Sequence, residues 1–281
     1  MRSDIKFHCG EEYNFKDKIN KVRAFLYKDY SIEEHSHDFY EVNIIFDGSG
    51  IHRIENSYIA VKPGDVFVIP PMALHAYYDT TRLDVYHILI RKEFIAQNAT
   101  EANAVPGFVH LLEIEPFLRG VHSEKEYLNL SASELIALKS ELAFIEENGI
   151  YDRGEIIAMK NHAMWKILYW FSDLMYRKMS NPERGDNKYK QAIIDTLEYM
   201  HRNPGEKITV ESLCSRVYLS RSTFLRSFFE VCQCTPMKYL ARYRCQRALS
   251  LMETEELSKT EIAHRCGFYD LSHMERMLRK I

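Results

Sequence analysis

Hydrophobic and polar positions change rhythm twice along this chain of 281 residues. Between residues 21 and 90 apolar positions alternate with polar ones in short runs punctuated by Gly, Pro, Asn and Asp. That rhythm predicts strands at roughly 8–12-residue spacing, closed into a small sandwich or barrel. The candidates are 22–27, 39–46, 51–54, 58–61, 66–69, 74–78 and 85–90. A turn is expected at Asp47, Gly48, Ser49 and Gly50, and a type II turn with Pro63 and Gly64 at its centre. Residues 1–20 are weakly patterned and read as an arm rather than a core element.

After Lys92 the alternation stops. Residues 94–117 are mixed, with weak helical character around 104–112. A capping box at Ser131 and Glu134 opens a helix carrying Leu135, Leu138, Leu142 and Ile145. A longer amphipathic helix follows, with Ile156, Met164, Ile167, Leu168, Phe171 and Met175 on its apolar side. Both helices can cover the barrel. Their apolar excess, which includes Trp165 and Trp170, leaves enough for a partner helix, so this region is expected to dimerise the protein. Pro182 and Gly185 among polar neighbours mark residues 180–188 as a linker.

From residue 189 the pattern is helical. An opening helix over 189–201 has Ile193, Ile194, Leu197 and Met200 on one side. Two short units of one design follow, joined by a helix over 236–252. In the first, Thr209 caps a helix to Arg216, the chain breaks at Tyr218 and Leu219, and Ser220 caps a second helix. Leu213, Val217, Leu219, Phe224 and Phe228 fall where two crossed helices share a core. In the second, Ser258 and Glu261 form a capping box, Gly267 suits a left-handed C-cap, and Asp270 caps a last helix with Leu271, Met274 and Leu278. Helix, tight turn and helix, twice over, is the outline of a DNA-reading helix-turn-helix.

Ile208 through Leu213, Leu219 with Ser220, Thr235 with Pro236, Tyr239 with Leu240, Arg244, Ala248 with Leu249, Glu261 through Ala263 and Cys266 through Phe268 resemble the DNA-binding domain of AraC/XylS-type transcription regulators. The spacing matches across both units. The resemblance implies recognition helices over about 221–230 and 271–280, entering successive major grooves about 34 Å apart. Carried over by position, it turns Arg221, Ser222, Thr223, Leu225 and Arg226 toward the first groove. Leu271, Ser272, His273, Glu275 and Arg276 face the second, with Arg279 nearer the phosphates. Glu275 has two readings: it accepts from cytosine N4, or it turns away and pairs with Arg279. Family members usually continue into a further short helix. The resemblance therefore implies that the domain over 189–281 lacks its last helix and that its second unit is the less stable half.

Composition narrows the class. At 46% hydrophobic and 27% charged the chain suits roughly two domains. No apolar run reaches the roughly 18 residues of a membrane span, and no signal-peptide segment opens the chain. A cytoplasmic protein without a membrane partner is expected. The six cysteines show no disulfide framework, and Cys232 and Cys234 lack a second pair at zinc spacing. Net charge is −3, but from Tyr189 onward 15 Lys and Arg stand against 11 Asp and Glu. A mildly basic C-terminal part beside an acidic N-terminal part fits a phosphate-binding domain joined to one that avoids DNA.

Candidate chemistry in the N-terminal part centres on His35, His37 and Glu41, followed by Gly48, and on Gly64, Pro70 and His75. Residues 35, 37 and 41 share parity, so on one strand they point to one face. These stretches look like the two cupin motifs, with Asp29 and Met72 where glycine is usual and Asp79 where asparagine is usual. Three readings stay open for His35, His37, Glu41 and His75. They form a divalent-metal set, they bind a small polar effector at a barrel mouth, or they are a structural polar network. AraC-type regulators with a cupin-like sensor often carry this pattern without acting as enzymes, which favours the effector or structural readings over metal and catalysis. His87 reads as an ordinary barrel residue. Tyr27 and Tyr77 are further pocket candidates, as are Tyr86 and Arg23, on faces the pattern leaves undecided.

The expected architecture is thus α+β: a cupin-like effector-sensing domain (1–118), a helical cover and dimerisation region (119–179), a linker (180–188) and an AraC-type DNA-binding domain (189–281). The expected function is effector-modulated, sequence-specific regulation of transcription, the effector being a sugar or related metabolite. No cofactor is expected. The partners would be double-stranded DNA, the effector, a second copy and RNA polymerase. Two rivals are a metal-dependent cupin enzyme with a C-terminal interaction module, and a protein–protein adaptor.

Overall fold

The computed structural model describes residues 6–8, 15, 20–55, 57–121, 127–148, 153–179, 189–254 and 257–280. The chain divides into two compact units, Met1–Ser180 and Asn181–Ile281. The expected linker at 181–188, with residue 180, lies outside the described residues.

The first unit contains β1 (Lys6–His8), β2 (Val22–Tyr27), β3 (Ile32–His37), β4 (Tyr40–Ile54), β5 (Ser57–Val61), β6 (Asp65–Ile69), β7 (His75–Ile90) and β8 (Leu128–Asn129). Two differences from the expected strands matter. The turn expected at 47–50 does not end a strand, and the strands expected at 74–78 and 85–90 are one. β4 and β7 run antiparallel to each other through both points, with register shifts between Ile45 and Ile51 on the β4 side. Bulges absorb the polar residues that would otherwise have closed a hairpin. Gly48 is needed there, because its φ is +80° and a Cβ would sit 2.1 Å from the Arg82 carbonyl oxygen. Gly64, at φ +91°, takes the left-handed position expected of it, and the Asp65 amide donates back to the Lys62 carbonyl at 3.1 Å.

Each long strand serves two half-sheets. The first half of β4 lies between β6 and the second half of β7, and β2 pairs with β7 beyond it. The second half of β4 lies between β5 and the first half of β7, beside β3. Ile45, Ile59, Val61, Phe67, Tyr77 and Val85, drawn from both halves, share one interior cluster, so the halves face each other. The described parts of the arm are structured. β1 pairs in parallel with β3, and Phe15 is buried edge-on to Phe39, with the Arg91 guanidinium over its ring.

Period-2 alternation gives the half-sheet of β2, β4, β6 and β7 a second apolar face. Val22, Ala24, Val42, Ile44, Val66, Val68, Ile88 and Ile90 on that face pack against helices α4 (Ala132–Glu147) and α5 (Gly154–Met179). Leu138, Leu142, Ile145, Met164, Ile167, Leu168, Phe171 and Met175 supply the helical side. Ser131 and Glu134 make the reciprocal capping box. The weak helix expected at 104–112 is displaced, because Pro106 and Gly107 break it. Helices α1 (Lys92–Ala96) and α2 (Ala99–Ala104) precede the break; a π-helical turn (His110–Ile114) and α3 (Glu115–Val121) follow it.

The second unit is helical: α6 (Lys190–Arg202), α7 (Val210–Arg216), α8 (Arg221–Cys232), α9 (Pro236–Thr254), α10 (Lys259–Arg265) and α11 (Leu271–Leu278). Thr209, Ser220, Ser258 and Asp270 each accept from the amide three residues on, so the polar residues that predicted helix starts are the caps. Leu213, Phe224 and Phe228 are fully buried, as are Ile262, Ala263, Cys266 and Met274 around the second unit. α6 is tied to the connecting helix through His201, whose Nε2 lies 2.6 Å from the Tyr239 hydroxyl and whose ring stacks on Tyr243 at 3.8 Å.

Candidate functional sites: a histidine–carboxylate cleft and two recognition helices

Glu41 does not share a strand with His35 and His37. The chain turns at residues 38–39, so the histidines stand on β3 and Glu41 on β4. β7 brings them together. It pairs His35 with His75 on one side, and Leu89 with Glu41 and His87 with Asn43 on the other. The Glu41 carboxylate then has three imidazoles around it. His87 Nδ1 donates to Oε1 at 2.5 Å, His37 Nε2 lies 2.9 Å from Oε2, and His75 Nε2 lies 3.6 Å from Oε2. His87 is therefore part of the cluster, against the expectation of an ordinary barrel residue. The Nδ1 atoms of His35 and His37 donate to the carbonyls of Glu33 and Phe39 at 2.9 and 2.8 Å, which orients both rings.

Burial alone would raise the Glu41 carboxyl. The hydrogen-bonding approach of His37 and His87 and the charges of His87 and His75 outweigh it and hold the group well below the usual carboxylate range. His75 and His52 go the other way from a paired histidine. Burial pushes both well below the ordinary imidazole value, and the nearby Arg119 charge adds to the effect at His52. The interior thus favours the ionised form of Glu41 and the uncharged forms of His52 and His75.

A small, partly open cleft lies over this cluster. Glu41, His35 and His37 line its polar side, and Phe25, Tyr27, Tyr30 and His87 its aromatic side. Tyr30 meets His87 edge-on at 4.5 Å, Tyr27 stacks on Tyr30 at 5.4 Å, and Phe25 stacks on His87 at 5.6 Å. Of the expected pocket residues, Tyr27 is at this wall. His75 and Tyr77 are buried behind it, where Tyr77 stacks on His52 at 4.4 Å and accepts from Asn43 Nδ2 at 3.3 Å. Tyr86 points to the helical side and donates to Glu146. The sequence reading missed Asn43, His52 and Arg119. Asn43 shares strand parity with Glu41, a signal that was available. Arg119 reaches in from α3, bonded to Glu115 at 2.8 Å, and could be placed only by tertiary packing.

Ring nitrogens of His52 and His75, His87 Nε2 and Asn43 Oδ1 are buried without a hydrogen-bond partner among the described residues. Buried polar atoms of this kind favour a polar ligand or water. His35, Glu41 and His75 also offer one ligand atom each within 4.8 Å of one another, donors of the type a divalent ion takes.

The second site is on α8 and α11. On α8, Arg221 and Ser222 are exposed, Thr223 and Leu225 half-buried, and Arg226 is exposed with its Nε 3.9 Å from Glu230. Arg221 also pairs with Glu211 of α7. On α11, Ser272 and Arg276 are exposed, and Leu271 packs partly on the unit's core. His273 is half-buried, edge-on to Phe268 at 5.6 Å, and its Nδ1 accepts from the Tyr269 amide at 3.4 Å. Arg279 Nη2 lies 3.9 Å from Glu275, the geometry of a carboxylate turned along its own helix.

Known proteins carry both modules. Residues 24–143 match the family model for the AraC-like ligand binding domain, and residues 213–281 match that for a helix-turn-helix domain. Among curated relatives, the HTH-type transcriptional activator RhaS of Pectobacterium carotovorum is 27% identical over 249 residues, spanning 88% of this chain and 83% of that protein. Among solved structures, the DNA-binding domain of AdpA in complex with a target DNA is 30% identical, covering 32% of this chain and 80% of that one, with a TM-score of 0.31. ToxT from Vibrio cholerae O395 is 12% identical, covering 92% and 93%, with a TM-score of 0.39. No helix among the described residues is long and apolar enough to cross a membrane. With a matched ligand-binding module ahead of a matched helix-turn-helix module, the chain belongs to the AraC-type family of DNA-binding, effector-modulated transcription regulators.

Proposed function

We propose that this protein activates transcription when a small molecule occupies the cleft over Glu41. The observation that carries this reading is the aromatic-walled cleft over a buried carboxylate and imidazole cluster, inside the region matched to a ligand-binding domain. The effector is a small polar metabolite, a sugar being the first class to try, held by Glu41, His35, His37 and His87 and flanked by Tyr27. His75 and Tyr77 support the cluster from behind. Activation, rather than repression, is the role named for the RhaS relatives. The effector can shift the regulator only by binding one arrangement of domains or protomers more tightly than another. α4 and α5 carry apolar residues beyond those packed on the sheet, Ile136 and Met159 among them, and are the proposed dimerisation surface. RNA polymerase is the partner that an activator addresses. The protein acts in the cytoplasm and carries no catalytic role.

Arg221, Ser222, Thr223, Leu225 and Arg226 are the proposed groove-facing set of α8; Leu271, Ser272, His273, Glu275 and Arg276, with Arg279 toward the phosphates, are that of α11. The experiment is a selection of duplexes from a random pool with the full chain, repeated with candidate metabolites. Enrichment of one sequence, changed in strength by a metabolite, is the expected result. Enrichment that no metabolite alters would remove the effector role from the cleft.

A second reading keeps a divalent ion at His35, Glu41 and His75, favoured by the convergence of their ligand atoms. Metal analysis of purified protein separates the two: a stoichiometric ion supports this reading, and a trace amount rejects it.

A further inference from the structure

The two helix-turn-helix units close their first helices in the same way. In the first, the amide of Tyr218 donates to Ser215 and that of Leu219 to Cys214, at 3.4 and 3.1 Å. In the second, the amide of Gly267 donates to His264 and that of Phe268 to Ala263, at 3.0 and 2.9 Å. Tyr218 and Gly267 therefore hold equivalent positions, both left-handed, with φ of +55° and +76°. Gly267 is required, because a Cβ would sit 2.2 Å from the Pro204 carbonyl oxygen. Nothing of that kind requires a tyrosine at 218. A non-glycine residue there is strained, and a bulky one more so.

Packing gives Tyr218 nothing in return. Its exposure is 94%, and that of Tyr269 in the other turn is 85%; these are the two most exposed large hydrophobic side chains among the described residues. Both precede a proposed recognition helix, Tyr218 two residues before the cap Ser220 of α8 and Tyr269 one residue before the cap Asp270 of α11. When the second helix of a helix-turn-helix enters the major groove N-terminus first, the first helix crosses the backbone, which puts the turn between them near the phosphates. Phenol hydroxyls donate to phosphate oxygens, and aromatic rings cover sugar.

We propose that Tyr218 and Tyr269 are DNA-backbone contacts, one per unit, whose hydroxyls donate to phosphates at the mouths of the two grooves. The inference rests on the groove-facing reading of α8 and α11. The two tyrosines position the helices and carry no base preference of their own.

The test uses the full chain, a duplex that the wild-type protein enriches from a random pool, and an unrelated duplex of equal length. Tyr218→Phe and Tyr269→Phe should each weaken both duplexes by a similar factor, about tenfold for one hydrogen bond to a charged acceptor. The dependence of affinity on salt should keep its slope, because no cation is removed. Tyr218→Gly should raise the melting temperature by relieving the left-handed strain, yet bind no better than Tyr218→Phe. That opposite movement separates a contact from a structural role. Wild-type affinity in Tyr218→Gly and Tyr269→Phe overturns the proposal, and loss confined to the selected duplex overturns it in favour of base reading. A wild-type chain that enriches no duplex brings down the DNA reading itself, a different failure from enrichment with indifferent variants.

Discussion

His87 Nδ1 lies 2.5 Å from Glu41 Oε1, although 46 residues separate the two in the chain. The pairing of Asn43 with His87 across β4 and β7 makes Glu41 the diagonal neighbour of His87 on the inward face. This contact joins the polar side of the cleft to its aromatic side, since Phe25 and Tyr30 both pack on the His87 ring.

Glu41→Gln and His87→Phe should therefore abolish the effector response. Binding of the selected duplex without effector should stay measurable, because neither residue is in the DNA-binding unit. Duplex binding with and without effector checks the first part, and a melting curve checks that the variant folds. A collapsed transition in both variants would assign the pair to the scaffold instead.

Stability should fall as pH falls, in two stages. The folded values of His52 and His75 lie below those of the unfolded chain, so below about pH 6.5 the unfolded chain binds protons that the fold refuses. Glu41 is also depressed, so its contribution, complete above the unfolded value near 4.5, is lost as pH drops through the lower folded value. His52→Phe, which keeps a ring against Tyr77, should flatten the first stage and leave the second. Denaturation midpoints from about pH 7.5 down to about pH 2.5 would show both stages; an unchanged profile would mean that His52 does not contribute.

Arg226 is exposed and only loosely held by Glu230, at 3.9 Å, so it is available to a base. Arg226→Ala should cost about 1–3 kcal/mol on the selected duplex and relax preference at one or two base pairs. Equal weakening on unrelated DNA would move Arg226 to the backbone.

Glu275 lies along its own helix toward Arg279. Glu275→Gln should leave base preference unchanged and alter stability by less than about 0.5 kcal/mol, as for an exposed i,i+4 pair. A changed preference at a cytosine in a repeated selection would restore the base-reading alternative.

Asp29, Met72 and Asp79, which depart from the cupin pattern, all have left-handed backbone, with φ of +51°, +69° and +49°. The residues differ, but the conformation that glycine or asparagine favours is kept. Met72 is exposed, and its amide donates to the His37 carbonyl at 2.7 Å. Met72→Gly should relieve about 1–2 kcal/mol of strain against about 0.5–1 kcal/mol of added chain entropy, for a net gain between about 0 and 1.5 kcal/mol. Urea denaturation would measure it, and a loss of stability would show that the Met72 side chain packs usefully.

Sequence alone determined the features set by bonds within a few residues. Thr209, Ser220, Ser258 and Asp270 announce helix starts because each cap closes onto the third amide ahead. Gly267 announces a helix end because glycine takes the left-handed C-cap without strain, and His35, His37, Glu41 and His75 stood out by spacing. Tertiary structure decided what depends on register between distant strands. Bulges at residues 45–51 keep β4 and β7 in one ladder where the local turn residues pointed to a hairpin. That ladder brings His87 and Asn43 to Glu41, turns Tyr86 to the helices and buries Tyr77. Strand pairing is non-local, and shifting it by one residue exchanges the two faces of a strand. Which histidines meet the carboxylate is therefore a property of the closed sheet, and the strain and exposure of Tyr218 are likewise visible only once the turn is built.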